Sequence, residues 1–451
     1  MAARRRSGAL PALLLAAMLT IPAQAVRAQA LIRDAGIEHA LRRLAAPLAA
    51  AAGLSAGQLR IMLIEDRALN AFVVDSRTIM IHSGLLLKLD SAAQLQAVLS
   101  HEMAHIANGH ITRRLANLRS ANTAAALGMA LSAAVIATGN GEAGVGLAMG
   151  TASAAQRAFF AHTRAEEASA DQAGVRYMAR AGIDPQAMVE VLEIFHGQEV
   201  LGPAHQDPYV MTHPLSRDRL RALKGFAAAH AARGDAEDDP EAQYWFRRAK
   251  GKLGAFVQNP SFTLRKLQKD DATDIAVMRR AIAYHRRPDT DAALREIDRL
   301  AAMRPNDPFV QELRGQILLE SRRFDAAIRA YARAVDLAPQ EPLILAGYGR
   351  ALLARNSAPG NRKALTMLER ARDRDPFDPR MLRDLAIAHA RAGQDGMASL
   401  AVAERYAVLG RLDDAITHAR RASGQLARGS PGWLRAQDVL ATAQQAARRR
   451  R

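Results

Sequence analysis

Two histidines and a glutamate stand where they could run hydrolytic chemistry: His101, Glu102 and His105, in the stretch Leu99-Ser-His-Glu-Met-Ala-His105. Residues four apart on an α-helix share a face, so His101 and His105 can grip one divalent metal from the same side. Glu102, next to the first imidazole, can reach a metal-bound water. A metal that lowers the pKa of water and a base to take its proton are what peptide hydrolysis needs, and this spacing supplies both. The chain has no cysteine, which excludes thiolate ligands, a cysteine nucleophile and disulfides.

The elements that carry this motif can be read from the residues around it. Apolar residues at 92, 95, 98 and 99, with no Pro or Gly before Gly109, predict a helix through the motif. The compact pattern with a Gly and a third His soon after the motif is excluded, because Asn108 and Ile111 occupy those positions. His110 lies nine residues beyond His101, half a rotation off on a continuous helix, so the spacing points it away from the metal as a structural or surface residue. The remaining source of a third ligand is a carboxylate from a later helix. Arg164-Ala-Glu-Glu-Ala-Ser-Ala-Asp171 reads as helical. Glu167 and Asp171 are one turn apart, so one could ligate while the other orients a ligand histidine; Glu166 is the rival.

In chain order, Met1 to Ala30 reads as a signal peptide. Arg4 to Arg6 form a positive start, Leu10 to Ile21 an apolar run, and Ala23-Gln-Ala25 and Ala28-Gln-Ala30 two cleavage signals. The mature chain is therefore expected in a bacterial periplasm. Leu31 to Leu59 reads as mostly helix. A strand is expected at 61–64, then a β-hairpin from Leu69–Val74 and Thr78–His82 around Asp75-Ser-Arg77. Asn70, Ala71 and Phe72 on that hairpin are assigned to an edge strand that holds substrate extended by main-chain pairing. Ala121 to Ala155, rich in Ala, Gly and Met, reads as two helices broken at Gly139-Asn-Gly-Glu142, a hairpin packed over the active site in preference to one touching the membrane. A polar stretch near 231–240 marks a boundary, dividing the mature chain into a peptidase domain (31–230), a linker (231–240) and a second domain (241–451).

The second half repeats. Ala293, Ala327 and Ala364 align, with Pro305, Pro339 and Pro376 each twelve residues later; the spacing is thirty-four, then thirty-seven across the loop Asn356–Asn361. Gly315 and Gly349 repeat at thirty-four, Tyr331 and Ala334 complete one unit, and Leu412-Asp-Asp-Ala415 marks a copy near 396–429. This is the tetratricopeptide period. About four helix pairs are expected, with 241–256 joining them to the first domain, and the stack forms a protein-binding solenoid. The expected fold class is therefore mainly α: a zincin-like α+β metalloprotease domain, then an α-solenoid.

The net charge is +17, but aromatics are 4% and no basic-aromatic platform appears, so nucleic acid is not an expected partner. An acidic partner or peripheral contact with an anionic membrane surface fits the charge and the basic end, Arg448 to Arg451.

H-E-x-x-H followed by E-x-x-A-D on a later helix resembles the peptidase family of the CAAX prenyl proteases and HtpX heat-shock membrane proteases. The resemblance implies one Zn²⁺ per chain on His101, His105 and Glu167, with Asp171 behind the ligands. It also covers His110, the Asn70-Ala-Phe72 segment and Thr212-His-Pro-Leu-Ser-Arg-Asp-Arg219. From that last segment it implies His213 as a regulatory fourth ligand that keeps the site latent. Arg219 is placed close by and counted with Glu102 as catalytic, steadying an oxyanion or a carboxylate. The lack of several membrane spans, with the repeats, resembles the family's soluble periplasmic branch. That implies degradation of misassembled or stalled outer-membrane proteins, help in their assembly, and repeats that engage the β-barrel assembly machinery. The rival reading is a non-proteolytic chaperone or assembly adaptor with a latched metal site.

Overall fold

The computed structural model describes residues 31–110, 113, 164–198, 206–230, 239–267 and 271–450. The signal-peptide segment, the Ala121–Ala155 segment and most of the 231–240 linker lie outside the described residues.

The first domain is built on a four-stranded sheet in the order β1 (Leu31–Ile32), β2 (Arg60–Ile64), β4 (Thr78–His82), β3 (Ala71–Asp75). β2 and β4 run parallel, while β3 and β4 form the antiparallel hairpin, with an irregularity between Val73 and Asp75. Leu31–Ile32, read from the sequence as the start of a helix, instead pairs with Leu63 and Ile64. The helix starts only where the Asp34 carboxylate accepts from the Ile37 amide, opening α1 (Ala35–Ala51). The hairpin leaves β3 at the sheet edge. Gly84, just after β4 in the short helix α2 (Ser83–Lys88), lies against the backbone of Arg67 and Ala68, where a Cβ would collide with the Arg67 carbonyl.

α3 (Ala92–Ala107) carries the H-E-x-x-H motif. Ser91 caps it by accepting from the Gln94 amide, and it is buried from Leu95 to His105. It packs against α1, α4 (Arg164–Arg180), α5 (Gln186–Ile194) and α8 (Pro240–Val257). Gly174 lets α4 approach closely: a Cβ there would meet Ser100 Oγ at 3.2 Å and Met188 Cε at 3.0 Å. Two further helices, α6 (Pro208–Thr212) and α7 (Arg217–His230), complete the domain. α8 adds Phe246, Ala249 and Leu253 to the same core as α1 and the sheet.

After α9 (Pro260–Lys266), the repeats are antiparallel pairs: α10 with α11 (Asp274–Arg286, Thr290–Met303), α12 with α13 (Pro308–Glu320, Phe324–Leu337) and α14 with α15 (Pro342–Arg355, Ala358–Arg374). α16 pairs with α17 (Pro379–Arg391, Asp395–Val408) and α18 with α19 (Leu412–Gln425, Pro431–Arg450). The described residues thus hold five pairs rather than about four. Asp395-Gly-Met opens α17 without the aromatic-Asp-Ala-Ala start seen at Phe324, so the sequence pattern hides that helix, and the copy read at 396–429 straddles two pairs. Tyr331 sits between Gly315 and Gly347, small positions that bring neighbouring helices together.

The two halves are held face to face by charge pairs across the junction. Lys252 of α8 is buried between Asp34 (2.8 Å) and Glu312 (3.5 Å). Arg42 Nη2 lies 2.7 Å from Glu341, Arg33 pairs with Asp375, and the Arg60 guanidinium covers the Phe377 ring at 4.7 Å.

Candidate metal centre

Four buried side chains from three parts of the first domain converge: His101 and His105 of α3, Glu167 of α4, and His213 just after α6. His105 Nε2 is 3.0 Å from His101 Nε2, and His213 Nδ1 is 3.3 Å from the same atom. Glu167 Oε1 lies 3.4 Å from His105 Nε2 and 3.2 Å from His213 Nδ1; its Oε2 is 3.5 Å from His101 Nε2. Four donors around a tetrahedral Zn²⁺ at ordinary bond lengths would sit about 3.3 Å apart, so these spacings and this N₃O donor set fit that ion.

The far nitrogens of the two motif histidines are also engaged. His101 Nδ1 meets Asp171 Oδ1 at 3.0 Å, and His105 Nδ1 meets His110 Nδ1 at 2.9 Å. Partners of this kind fix ring orientation and tautomer. His110 is therefore neither remote nor on the surface; it is 1% exposed. The reason is that the helix stops. Asn108 caps it and Gly109 turns left-handed (φ +67°), so the nine-residue phase on a continuous helix does not apply, and His110 folds back onto His105. Asn-Gly after an apolar helical run is the signal that could have located it.

Glu102 is buried, with Oε1 3.4 Å from His213 Nε2. The rival carboxylate, Glu166, points elsewhere and pairs with Arg113 at 3.3 Å. Arg219 of α7 is buried among the site's carboxylates. Its guanidinium grips Asp171 through Nε (2.7 Å) and Nη2 (2.8 Å), reaches Glu167 Oε2 through Nη1 (2.8 Å), and donates to the His213 and Pro214 carbonyls at 3.3 Å. These contacts place the guanidinium against two carboxylates, Asp171 and Glu167.

The charges explain how so deeply buried a polar site persists. Burial alone would raise the Glu167 and Asp171 carboxyls, but His213 and Arg219 around the first, and Arg219 and His101 around the second, hold both below their usual range. Burial would lower His101, yet its contacts with Asp171 and Glu167 outweigh it and hold the ring up at about 10. His105, buried beside His101, is pushed well below the ordinary histidine value.

The edge strand meets the site through the His213 segment. His213 Nε2 lies 3.3 Å from the Ala71 carbonyl, Thr212 Oγ1 is 3.4 Å from Asn70 Oδ1, and the Tyr209 amide donates to the Leu69 carbonyl at 3.2 Å. Asn70 is buried, and Phe72 meets His82 edge-on at 6.0 Å. Sequence reading missed Tyr209. Its buried ring packs on His213 at 4.6 Å and stacks on Phe195 at 4.6 Å, a contact that no local pattern signals.

A small α+β domain with a buried histidine–glutamate cluster on an H-E-x-x-H helix, followed by helical repeats, defines a metallopeptidase-type fold joined to a tetratricopeptide-like array. Residues 35–227, ahead of the repeats, match the model of peptidase family M48. Over 406 residues, 89% of this chain and 81% of the relative, it is 26% identical to the beta-barrel assembly-enhancing protease of Escherichia coli K12. The protein of the same name from Yersinia pestis is 26% identical over 82% of this chain and 75% of its own length. Among solved structures, a TPR protein of Thermus thermophilus is 19% identical over 38% of this chain and all of its own, at a TM-score of 0.26. Among the described residues, no helix is long and apolar enough to cross a membrane.

Proposed function

We propose that this chain is a periplasmic zinc endopeptidase of outer-membrane protein quality control, exported by the segment 1–30, with a catalytic domain over 31–230 and a partner-binding array over 241–451. The observation that carries the reading is the convergence of His101, His105, Glu167 and His213 with Glu102 at their side. In this reading the first three hold one Zn²⁺, which when bound polarises a carbonyl and lowers the pKa of water. Glu102 takes the proton of the attacking water and passes it to the leaving amine. Asp171 and Arg219 keep His101 and Glu167 in place. The edge strand around Asn70, Ala71 and Phe72 pairs with an extended substrate backbone, as sheet edges do. The substrates are unfolded or stalled outer-membrane proteins, and the repeats engage the β-barrel assembly machinery; the names of the relatives support this assignment.

One observation favours a second reading. With His213 as fourth donor the set is closed, like that of a structural zinc, and hydrolysis waits until the segment moves. A chain held in that state works as an assembly adaptor. The test is zinc content and cleavage of an unfolded outer-membrane protein by wild type, Glu102→Gln and His213→Ala. Cleavage abolished in the first variant and raised in the second, with zinc retained, supports the latched peptidase. Bound zinc without cleavage in wild type or in His213→Ala leaves the adaptor, and a protein that takes up no zinc defeats both.

A further inference from the structure

Away from the metal centre, α8 and the start of the repeat array line a cavity of about 870 Å³ whose described lining is mostly basic in charge. Arg247, Lys250, Lys266 and Arg279 line it. Among the described residues its one carboxylate is Asp274, which is already taken, accepting from Tyr244 Oη at 2.9 Å and pairing with Arg304 at 2.7 Å. Lys250 donates to the Leu89 carbonyl and lies 3.5 Å from Asp90. The other three cations make no ion pair among the described residues. Arg279 is the informative one: it is half-buried, and its Nε is shielded from solvent with no hydrogen-bond partner among the described residues. Burial lowers its pKa, against a weaker pull from Asp271. A buried guanidinium N–H left unpaired costs free energy that an anionic acceptor would return.

The shape narrows the class of acceptor. Gln243, Arg247, Lys250, Gly254 and Gln258 recur every three or four residues and line the cavity from one stripe of α8. That stripe is about 22 Å long, the span of about seven extended residues. At Gly251 a Cβ would come within 3.2 Å of Arg279 Cδ and 3.1 Å of Ile275 Cγ2, so the glycine seats the arginine stem against the helix. Arg247 and Lys250 lie along that stripe of the trough, and Leu87 and Ile275 add apolar lining. The planar fork of arginine suits carboxylates.

We propose that this trough binds an extended, acidic segment of a partner protein, with Arg279 and Arg247 as its main carboxylate contacts. Leu87 belongs to the peptidase domain and Arg279 to the first repeat, so the segment would touch both. The site is separate from the metal centre and independent of its chemistry.

The test is fluorescence anisotropy on the full chain with a short labelled peptide of alternating Glu and Ala, and its Gln-for-Glu counterpart. The Glu peptide should bind and the Gln peptide should not. Arg279→Gln and Arg247→Gln should each weaken binding about tenfold, as expected for losing a charged hydrogen bond, with thermal unfolding unchanged for the exposed Arg247 variant. The control is Arg420→Gln with Arg421→Gln, which removes exposed charge at the far end of the array. Equal weakening by that control means net charge alone drives binding and overturns the site, as does peptide binding unaffected by Arg279→Gln. Phosphatidylglycerol vesicles that bind through Arg279 when the Glu peptide does not would overturn the protein partner in favour of a lipid.

Discussion

Arg219 grips Asp171 with two parallel hydrogen bonds, Nε to Oδ2 at 2.7 Å and Nη2 to Oδ1 at 2.8 Å, while Asp171 Oδ1 holds His101 Nδ1 at 3.0 Å. Through this chain a residue on α7 sets the angle of an imidazole on α3. Replacing Arg219 by Ala removes the cation shared by two buried carboxylates, Asp171 and Glu167. The peptidase domain should lose about 3–5 kcal/mol of stability. Zinc affinity should fall about 10- to 100-fold, the usual effect of removing an outer partner of a ligand. Arg219→Lys, which cannot make the fork, should recover only part of either. Chelator competition and thermal unfolding measure the two effects separately.

Zinc uptake should be linked to pH. In the metal-free protein Asp171 and Glu167 keep His101 protonated with its pKa near 10, whereas His105 is neutral. The metal needs neutral imidazoles, so binding at neutral pH must expel the His101 proton. Apparent affinity should rise roughly tenfold per pH unit until His101 titrates. Calorimetry in two buffers of different ionisation heat should report about one proton released; heats that do not depend on the buffer would contradict the assignment.

The His213 segment is tethered at a point removed from the metal. Asp207 Oδ1 accepts from the Leu69 amide at 3.3 Å, and Gln198 brackets Asp207 with two bonds of 2.9 Å. Asp207→Ala should loosen the segment from the edge strand without touching a donor atom. Peptide hydrolysis should rise in the same direction as in His213→Ala but by less, at unchanged zinc content. Lower activity at full zinc occupancy would show that the tether builds the substrate site instead of covering it.

Glu404, on α17, lies 3.2 Å from Arg435 Nε, yet burial pushes its carboxyl up to about 7, against the pull of Arg372. A carboxyl raised in the folded state binds a proton that the unfolded chain has lost, so stability falls as pH rises from about 4.5 to about 7. The full effect is up to about 3 kcal/mol. Urea unfolding of the repeat array should therefore show a lower midpoint at about pH 8 than at about pH 5. Glu404→Gln should flatten that difference; an unchanged pH slope in the variant would place its origin elsewhere.

The helix pairs depend on glycine where Tyr331 lies. A Cβ at Gly315 would fall 2.7 Å from the Tyr331 ring, and Gly347 faces the other side of the same ring. Gly315→Ala should cost about 1–3 kcal/mol by overpacking, visible as a lower urea midpoint for the array.

What the chain determines by local pattern is considerable. The motif helix, the hairpin, the third-ligand candidate Glu167 and the thirty-four-residue period all follow from spacings a few residues to a few turns long, because helix and strand periodicity are local properties. Tertiary structure decided the rest. Glu166 and Glu167 are neighbours on one helix, and only the packing of α4 on α3 through Gly174 selects which one faces the histidines. His110 escapes the periodic reading because its position depends on a left-handed residue at Gly109, which breaks the phase that a continuous helix would keep. The pairing of Arg219 with Asp171 and the seating of Lys252 against Asp34 join residues 48 and 218 positions apart, and Tyr209 is buried on His213 only once the fold closes around both. Contacts of that kind leave no periodic trace in a single chain. They exist because the burial of the core carries these polar groups out of water, where each must find a partner.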